Sequence, residues 1–381
     1  RLAGALIYFG DLDAAEAPML KAFSLDPDLS EVQNTLGEFY FARGRSPDAG
    51  KAWARAVDLN PNDPEALSNY ATWRWMQIET DGVKEMFRHA LELDPLNLER
   101  YRTFGSFLAI ENGQDEAREL IGRMAALFDG ATACRAIADI YYNLGDVDKA
   151  IAWTIRARDL EPDNRSHVGM LAEYFVDIGE FDTAVEIDPG LGIGLLYKMR
   201  RFDEVIDGAE ELMIEQPKNI RIRDLLAEAY NATGRYQSAI RVLREIGLPE
   251  SVFNGWRSAA EWDAYVALMN ALYADGRTGE AQKLAQWTID FGWTVNYDWW
   301  NYVPAACSFA VLGRDDEVRA ALARLQKGNR IVYDPQLMDA PCFRRFADDP
   351  VYQAAVRHFE DLRDQLRRRL PETLADFGVH L

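Results

Sequence analysis

Prolines recur at a constant interval along the first quarter of the chain, and this interval restricts the folds open to it. Pro27, Pro61 and Pro95 are each 34 residues apart, and Gly145 and Gly179 show the same spacing further on. A period of roughly 20 to 50 residues is the signature of repeated supersecondary units that stack on one another. The length of 381 residues also exceeds that of an ordinary single core. The sequence therefore predicts a solenoid built by repetition.

The first helix of one repeating unit is predicted at the start of residues 30–63. Leu36, Gly37 and Tyr40 fall on one face of a helix. Gly44 follows them, and glycine most easily adopts the left-handed conformation that ends many helices. The first helix is therefore expected to end at Gly44.

A second helix is predicted in the rest of this unit. Ala49, Trp53 and Ala56 recur at intervals of four and three residues, and Asn60 precedes a proline, where helical dihedral angles are disfavoured. The combined pattern L-G-x2-Y, A-x3-W and P resembles the tetratricopeptide repeat. Gln33 stands where that signature usually has Trp.

The resemblance implies an all-α chain. The expected fold is a tetratricopeptide-like α-solenoid, a right-handed superhelix of about ten antiparallel helix pairs with an irregular C-terminal capping region. Small residues where helices would cross and large residues where gaps must be filled agree with close packing. Helix pairs are expected at residues 1–29, 30–63, 64–97, 98–130, 131–164, 165–189 and 220–253, with looser pairs at 256–296 and 299–328.

Three segments are expected. They are a solenoid segment at 1–189 that begins within a repeat, a less regular one at 190–328, and a turn region with a capping helix at 329–381. The first boundary depends on a helix cut short at Ile187 and on a glycine-rich helix after it, since each helical glycine costs about 1 kcal/mol relative to alanine. A bend over 186–196 is one interpretation of these short helices, and local repacking without a bend is the other.

The C-terminal region departs from the repeat. Residues 334–350 (DPQLMDAPCFRRFADDP) predict a proline-punctuated turn region. A final helix is expected to cap the last repeat, with coiled-coil pairing as the alternative. Its apolar face consists of Val351, Ala355, Phe359, Leu362, Leu366 and Leu370. The motif P-x-F-R-R-F-A-D-D-P-x-Y resembles the C-terminal repeat regions of bacterial regulators and adenylate cyclases, which implies a sensor or regulatory arm.

Charge limits the classes of partner. Asp and Glu outnumber Lys and Arg by 62 to 42, a net charge of −20, which argues against general nucleic-acid binding and is compatible with a basic partner. The sequence contains no apolar run of about 18 residues, so no membrane-spanning helix is predicted. The chain begins with Arg1 within a predicted helix, so the natural chain is expected to extend further N-terminally.

The cysteines and histidines indicate no chemical site. Cys134, Cys307 and Cys342 are widely spaced and odd in number, so buried unpaired thiols are expected, which favours a reducing compartment. A cytoplasmic location is therefore preferred, or a periplasmic one if a membrane anchor precedes the chain. None of the four histidines has a partner at metal or triad spacing. No catalytic residue, metal or cofactor is predicted.

The resemblance also implies a binding groove. In proteins with this repeat, residues of the first helices line the concave face. Carried onto this sequence, the groove residues are Asn34, Glu38, Phe41, Thr72, Trp75, Arg102, Arg135, Asp139, Tyr142 and Asn143. Aromatic and polar side chains together suit an extended peptide. Members of the family that bind chaperone tails use a basic clamp, but residues 30–63 have Glu or Asn at those positions, so this ligand is not expected.

Aromatic residues are concentrated between residues 256 and 300. The densest part contains Trp293, Tyr297, Trp299 and Trp300, a composition that is enriched in binding surfaces. Packing between poorly matched repeats is the alternative role. Trp73 also competes with Trp75 for the groove.

A non-catalytic scaffold that binds a protein or peptide segment is the function that these features favour. A structural arm that assembles into a homo-oligomer is the alternative, and an all-helical enzyme is the third reading.

Overall fold

The computed structural model describes residues 2–77, 79–111, 113–247, 259–290, 302–327 and 335–381. Within these ranges the regular elements are helices, and no strand occurs. Side chains are described for the same ranges except at 259–261, 302 and 335–336. The prediction of an all-α chain is confirmed.

Twenty helices form ten consecutive pairs in this part of the chain, in agreement with the repeat count expected from the sequence. The helices are α1 (Leu2–Tyr8), α2 (Leu12–Leu25), α3 (Ser30–Ala42), α4 (Ser46–Leu59), α5 (Pro64–Met76), α6 (Val83–Leu93), α7 (Leu98–Ile110), α8 (Gln114–Leu127), α9 (Ala131–Asn143), α10 (Val147–Leu160), α11 (Arg165–Ile178), α12 (Phe181–Ile187), α13 (Ile193–Lys198), α14 (Phe202–Glu215), α15 (Ile220–Ala232), α16 (Tyr236–Arg244), α17 (Ala259–Ala274), α18 (Thr278–Asp290), α19 (Tyr302–Val311) and α20 (Asp315–Leu325). The chain then forms α21 (Pro335–Asp339), a 3₁₀ helix (Pro341–Phe346) and α22 (Pro350–Phe377).

The helices form two compact units. The N-terminal unit contains α1–α8, and the C-terminal unit, which begins at Asp129, contains α9–α22. The predicted boundary between residues 189 and 190 falls inside the C-terminal unit and stays a prediction.

Small residues allow close helix packing in the N-terminal unit. Ala49 and Ala56 are fully buried, and a Cβ added at Gly37 would lie 2.5 Å from Nε1 of Trp53. Gly50 of α4 leaves similar room for the ring of Trp73, whose atoms would lie within 2.2 to 2.5 Å of an added Cβ. Bulky rings therefore fill the space that glycine and alanine leave open. Gly44 has a φ of 72°, as the sequence predicts for the end of the first helix.

The two short helices expected near residue 190 are present. Helix α12 ends at Ile187, and α13 extends only from Ile193 to Lys198. Arg200 follows with a φ of 60°, a left-handed conformation that favours glycine. The change of axis direction across this region stays a prediction.

The last helix packs more widely than a terminal cap. Its N-terminal part contacts α20, whereas its C-terminal part contacts α10 and α11. Ala355 and Phe359 belong to the apolar cluster of the later helices, and Leu366 and Leu370 belong to that of α10–α12. Four residues of the predicted apolar face are thus buried and Val351 and Leu362 are partly buried, but the face joins helices that are far apart in the sequence.

The prediction of three unpaired cysteines is wrong. Cys307 of α19 and Cys342 of the 3₁₀ helix form a disulfide, with Cα atoms 5.5 Å apart, and Cys134 is a buried free thiol. The sequence separation of 35 residues concealed the pair, which the packing of the tail against α19 brings together.

Candidate functional site

The first helices of the N-terminal unit carry a network of amide and carboxylate groups. Asn34 and Glu38 lie one helical turn apart on α3, and Asn69 lies on the adjacent α5. The Asn69 side-chain amide donates to Asn34 Oδ1 at 3.0 Å and to Glu38 Oε1 at 3.2 Å, while Asn34 Nδ2 donates to the same Glu38 oxygen at 3.1 Å. Asn34 is 6% exposed. The network connects two consecutive repeats through polar side chains.

The carboxyl group of Glu38 is in an unfavourable place for a negative charge. Burial raises its pKa, and the nearby Glu65 carboxylate acts in the same direction, against the hydrogen bonds from Asn69 and Asn34. A cationic group brought to this carboxyl would oppose both effects.

The aromatic residues predicted to line the groove in this unit, Phe41 and Trp75, pack against other side chains of the N-terminal unit. Phe41 packs against Trp53, with ring centroids 5.7 Å apart. Trp75 meets Phe107 of α7 edge to face at 5.4 Å, and its Nε1 donates to Glu111 Oε1 at 3.0 Å. Trp75 therefore bridges α5 and α7 while it remains partly exposed.

The competing Trp73 is placed elsewhere. Its Nε1 donates to the carbonyl oxygen of Ser46 at 2.9 Å, so the ring packs against α4, a second helix. Two other predicted groove residues bond locally: Thr72 donates to the Ser68 carbonyl at 2.8 Å, and Arg102 pairs with Glu99.

A second polar network joins the first helices of the C-terminal unit. The Tyr142 hydroxyl of α9 donates to Asp177 Oδ2 of α11 at 2.8 Å. Lys198 of α13 donates to Asp177 Oδ1 and to Glu173 Oε1, each at 2.9 Å. The ring of Tyr142 stacks on that of Tyr174 at 4.9 Å. Three consecutive repeats are thus connected by side chains of one face.

The electrostatics of this network follow from its burial. Asp177 is 2% exposed, and burial raises its pKa against the opposing charge of Lys198. Burial works to lower the pKa of Lys198, but the carboxylates of Asp177 and Glu173 outweigh it and raise that pKa. Burial also raises the pKa of the Tyr142 phenol. The network therefore holds a charged lysine between two carboxyl groups.

The remaining predicted residues of α9 surround this network. Arg135 donates to Ser166 Oγ at 2.8 Å and lies 3.5 Å from Nδ1 of the buried His167. The negative charge of Asp139 acts on Tyr174 and contributes to its raised pKa, after the larger effect of burial. Asn143 is partly exposed at the end of α9.

Several residues of these networks are absent from the predicted groove. Asn69 lies one position beyond the residue that the repeat pattern selects on α5. Asp177 and Glu173 occupy the thirteenth and ninth positions of α11, so the same pattern applied to residues 165–189 identifies them. Lys198 lies in a helix too short to assign a register.

The predicted aromatic patch of Trp293, Tyr297, Trp299 and Trp300 lies outside the described residues. Two other tryptophans of residues 256–300 pack in the core of the C-terminal unit: Trp262 is buried, and its ring lies 5.7 Å from that of Trp287.

In the described part of the chain, no group of three or more His, Cys, Asp or Glu side chains is arranged to hold a metal ion. The same residues include no helix that is both long and apolar enough to cross a membrane.

Consecutive helix pairs with small residues at their crossings define a helical-repeat solenoid. The tetratricopeptide repeat family profile matches residues 131–164, which contain α9 and α10. Residues 131–164 thus match one tetratricopeptide repeat, and the chain resembles proteins built from such repeats.

Known proteins match parts of the chain. Hsp70-Hsp90 organizing protein 2 of Arabidopsis thaliana is 30% identical over 95 residues, 25% of this chain and 16% of that protein. TPR repeat-containing protein YpiA of Bacillus subtilis (strain 168) is 30% identical over 135 residues, 31% of each chain. The chain thus spans less than a third of the length of these curated relatives.

One solved structure is that of a thermophilic TPR protein, TTC0263, from Thermus thermophilus. It has a TM-score of 0.41 and 19% identity, and the match covers 46% of this chain and 96% of that chain.

Proposed function

We propose that the chain is a non-catalytic scaffold that binds an extended polypeptide on the face formed by its first helices. The network of Asn34, Glu38 and Asn69 is the observation that carries the proposal. Amide side chains can exchange their mutual hydrogen bonds for bonds to the N–H and C=O groups of an extended peptide. Helices α3 and α5 present such groups side by side at 3.0 to 3.2 Å, so a peptide crossing both helices would meet them in succession.

The preferred polypeptide is basic. The carboxyl group of Glu38 has Glu65 as a charged neighbour, and the chain as a whole carries a net charge of −20. A Lys or Arg side chain of the ligand would compensate the partly buried carboxylate, and a hydrogen bond to a charged group contributes about 1.5–3 kcal/mol. Chaperone tails are not the proposed ligand, because their recognition by a basic clamp does not suit Glu31 and Glu38.

The test is selection from a random twelve-residue phage-displayed library, followed by fluorescence anisotropy with the best synthetic peptide. We expect selected sequences rich in Lys and Arg, and we expect Glu38→Gln and Asn69→Ala each to weaken binding about tenfold. Asp58→Asn, on the exposed surface of the second helix α4, is the control and should leave Kd unchanged. Selected peptides without basic residues, or equal affinities of all three variants and the parent, would refute the proposal.

Self-assembly is the second candidate. The first helix pair exposes several apolar side chains, including Tyr8 at 85% and Phe9 at 82%. Exposed apolar groups of this kind are typical of contacts between proteins, and the occupant considered is a second copy of the chain. Light scattering over a hundredfold range of concentration tests it: a constant monomer mass excludes the arrangement, and Phe9→Ser should dissociate an oligomer that depends on it.

A narrower proposal is a sensor or regulatory arm of a bacterial signalling protein, supported by the motif at residues 341–352. An effector domain encoded in the same reading frame would support it, and a reading frame without one would count against it. The Cys307–Cys342 disulfide supports an oxidising compartment in place of the cytoplasm that unpaired cysteines favoured.

A further inference from the structure

We infer that Arg363 and Arg367 of the C-terminal helix are positioning residues for the second polar network. They hold the end of α11 so that Asp177 can engage Tyr142 and Lys198. This positioning does not depend on the function proposed above.

The two arginines contact the backbone where α11 ends. Arg363 donates to the Val176 carbonyl at 3.4 Å, and Arg367 donates to the Ile178 carbonyl at 3.2 Å. The last carbonyls of a helix have no partner for a continuing helical turn, and the helix dipole makes them favourable sites for cations. The guanidinium groups of α22 therefore supply hydrogen-bond donors and positive charge at this end.

The turn after α11 is shaped to receive these groups. Gly179 has a φ of 83°, and a Cβ added there would lie 2.4 Å from a guanidinium nitrogen of Arg363 and 2.8 Å from one of Arg367. Arg363 also lies over the ring of Phe181, 5.5 Å from its centroid. Glycine is required both for the left-handed conformation and for the space that the arginines occupy.

Asp177 lies in the sequence between Val176 and Ile178, whose carbonyl groups accept the hydrogen bonds from Arg363 and Arg367. Its carboxylate accepts bonds from Tyr142 and Lys198. Fixing the carbonyls of Val176 and Ile178 fixes the backbone on both sides of Asp177, and hence the direction of its side chain. Lys198 belongs to α13, so its bond to Asp177 also connects α13 to the end of α11.

Helix α22 is itself firmly anchored near this point. Leu366 and Leu370 are buried against α10–α12. Further along, Arg369 and Thr373 both bond to Asp148, and Arg156 donates to the Phe377 carbonyl at 2.9 Å. These contacts fix the part of α22 that carries Arg363 and Arg367.

The test compares Arg363→Ala/Arg367→Ala with Arg368→Ala. Arg368 is on the same helix and is 76% exposed, and its contacts are with Asp364 of that helix: it donates to the Asp364 carbonyl at 3.1 Å and lies 3.9 Å from the carboxylate. Two readouts are followed in the full chain: amide hydrogen exchange at residues 178–181 and acetylation of Lys198 by acetic anhydride, measured by mass spectrometry. We expect exchange at least tenfold faster and acetylation several-fold faster in the double variant, and no change in Arg368→Ala.

Amides of α19 and α20 report on general loosening of the same unit. Equal acceleration there would show that the arginines only stabilise the fold, and unchanged exchange and labelling in the double variant would also overturn the inference. If the double variant does not fold, Arg367→Gln, which keeps a donor, and Arg367→Ala are compared in the same way. Only the alanine variant should accelerate exchange at residues 178–181.

The two proposals fail separately. If Lys198 labelling rises in the double variant but no library peptide binds the parent chain, the proposed function is wrong and the positioning stands. If a peptide binds the parent chain and the exchange and labelling are unchanged in the double variant, the positioning is wrong and the proposed function stands.

Discussion

Arg369 and Asp148 form a two-bond ion pair across 221 residues of sequence, with N–O distances of 2.9 and 2.5 Å. Asp148 is 1% exposed, whereas Arg369 is about half exposed. The pair ties the last helix to the start of α10 in the repeat that matches the family profile.

The first prediction concerns this pair. Arg369→Ala leaves the buried Asp148 with Thr373 as its bonding partner on α22, and we expect the free energy of unfolding to fall by about 1–3 kcal/mol. Urea unfolding followed by circular dichroism measures it. Arg368→Ala is the control and should change stability by no more than about 0.5 kcal/mol. An equal fall in the free energy of unfolding of the two variants would show that the Arg369–Asp148 pair does not contribute to stability.

The second prediction concerns two helical glycines of the N-terminal unit. Gly50→Ala places a methyl group against the ring of Trp73 and should destabilise the unit by about 1–3 kcal/mol. Gly122→Ala meets no atom within 4 Å and should stabilise α8 by about 0.5–1 kcal/mol through helix propensity. Thermal unfolding of both variants should give shifts of opposite sign. A shift of the same sign in both would contradict the packing of Trp73 on α4.

The third prediction separates two roles of Trp75. Because its ring packs on Phe107 and its Nε1 bonds to Glu111, Trp75→Ala should lower the free energy of unfolding by about 1–3 kcal/mol. Trp75→Phe keeps a ring and loses the hydrogen bond, so its loss should be smaller. If Trp75→Ala is as stable as the parent but binds the selected peptide at least tenfold more weakly, the residue belongs to the groove and not to the packing.

The fourth prediction concerns pH. A folded-state pKa of Glu38 above its unfolded value means that the native state holds the proton more tightly. The stability that this group contributes is therefore present at low pH and is lost as the pH rises through the folded pKa. The stability of Glu38→Gln relative to the parent should increase between pH 4 and pH 7, measured by urea unfolding at each pH. A constant difference would show that the burial of Glu38 has no energetic consequence.

The fifth prediction concerns the thiols. Protein purified without reductant and unfolded in guanidinium should react with a thiol reagent at Cys134 alone, because Cys307 and Cys342 are bonded. After reduction all three should react. Three reactive thiols before reduction would show that the pair does not form, and would restore the argument for a reducing compartment.

The sequence by itself determined the repeat. The 34-residue spacing, the small residues at Gly37, Ala49 and Ala56, and the turn glycine at Gly44 all act through contacts within one unit or with the next unit along the chain. Local contacts leave a periodic pattern, so the helix pairs, their approximate bounds and the two short helices α12 and α13 could be predicted.

Only the tertiary structure decided the contacts between distant residues. No periodic pattern in the sequence pairs Arg369 with Asp148, Arg367 with the end of α11, or Cys342 with Cys307. Each of these contacts forms only because the C-terminal region packs against helices that precede it in the sequence. The groove was predictable to the extent that it follows the repeat: the pattern selected Asn34, Glu38 and Tyr142. It missed Lys198, whose position depends on how two short helices pack against α11 and not on any register that the sequence contains.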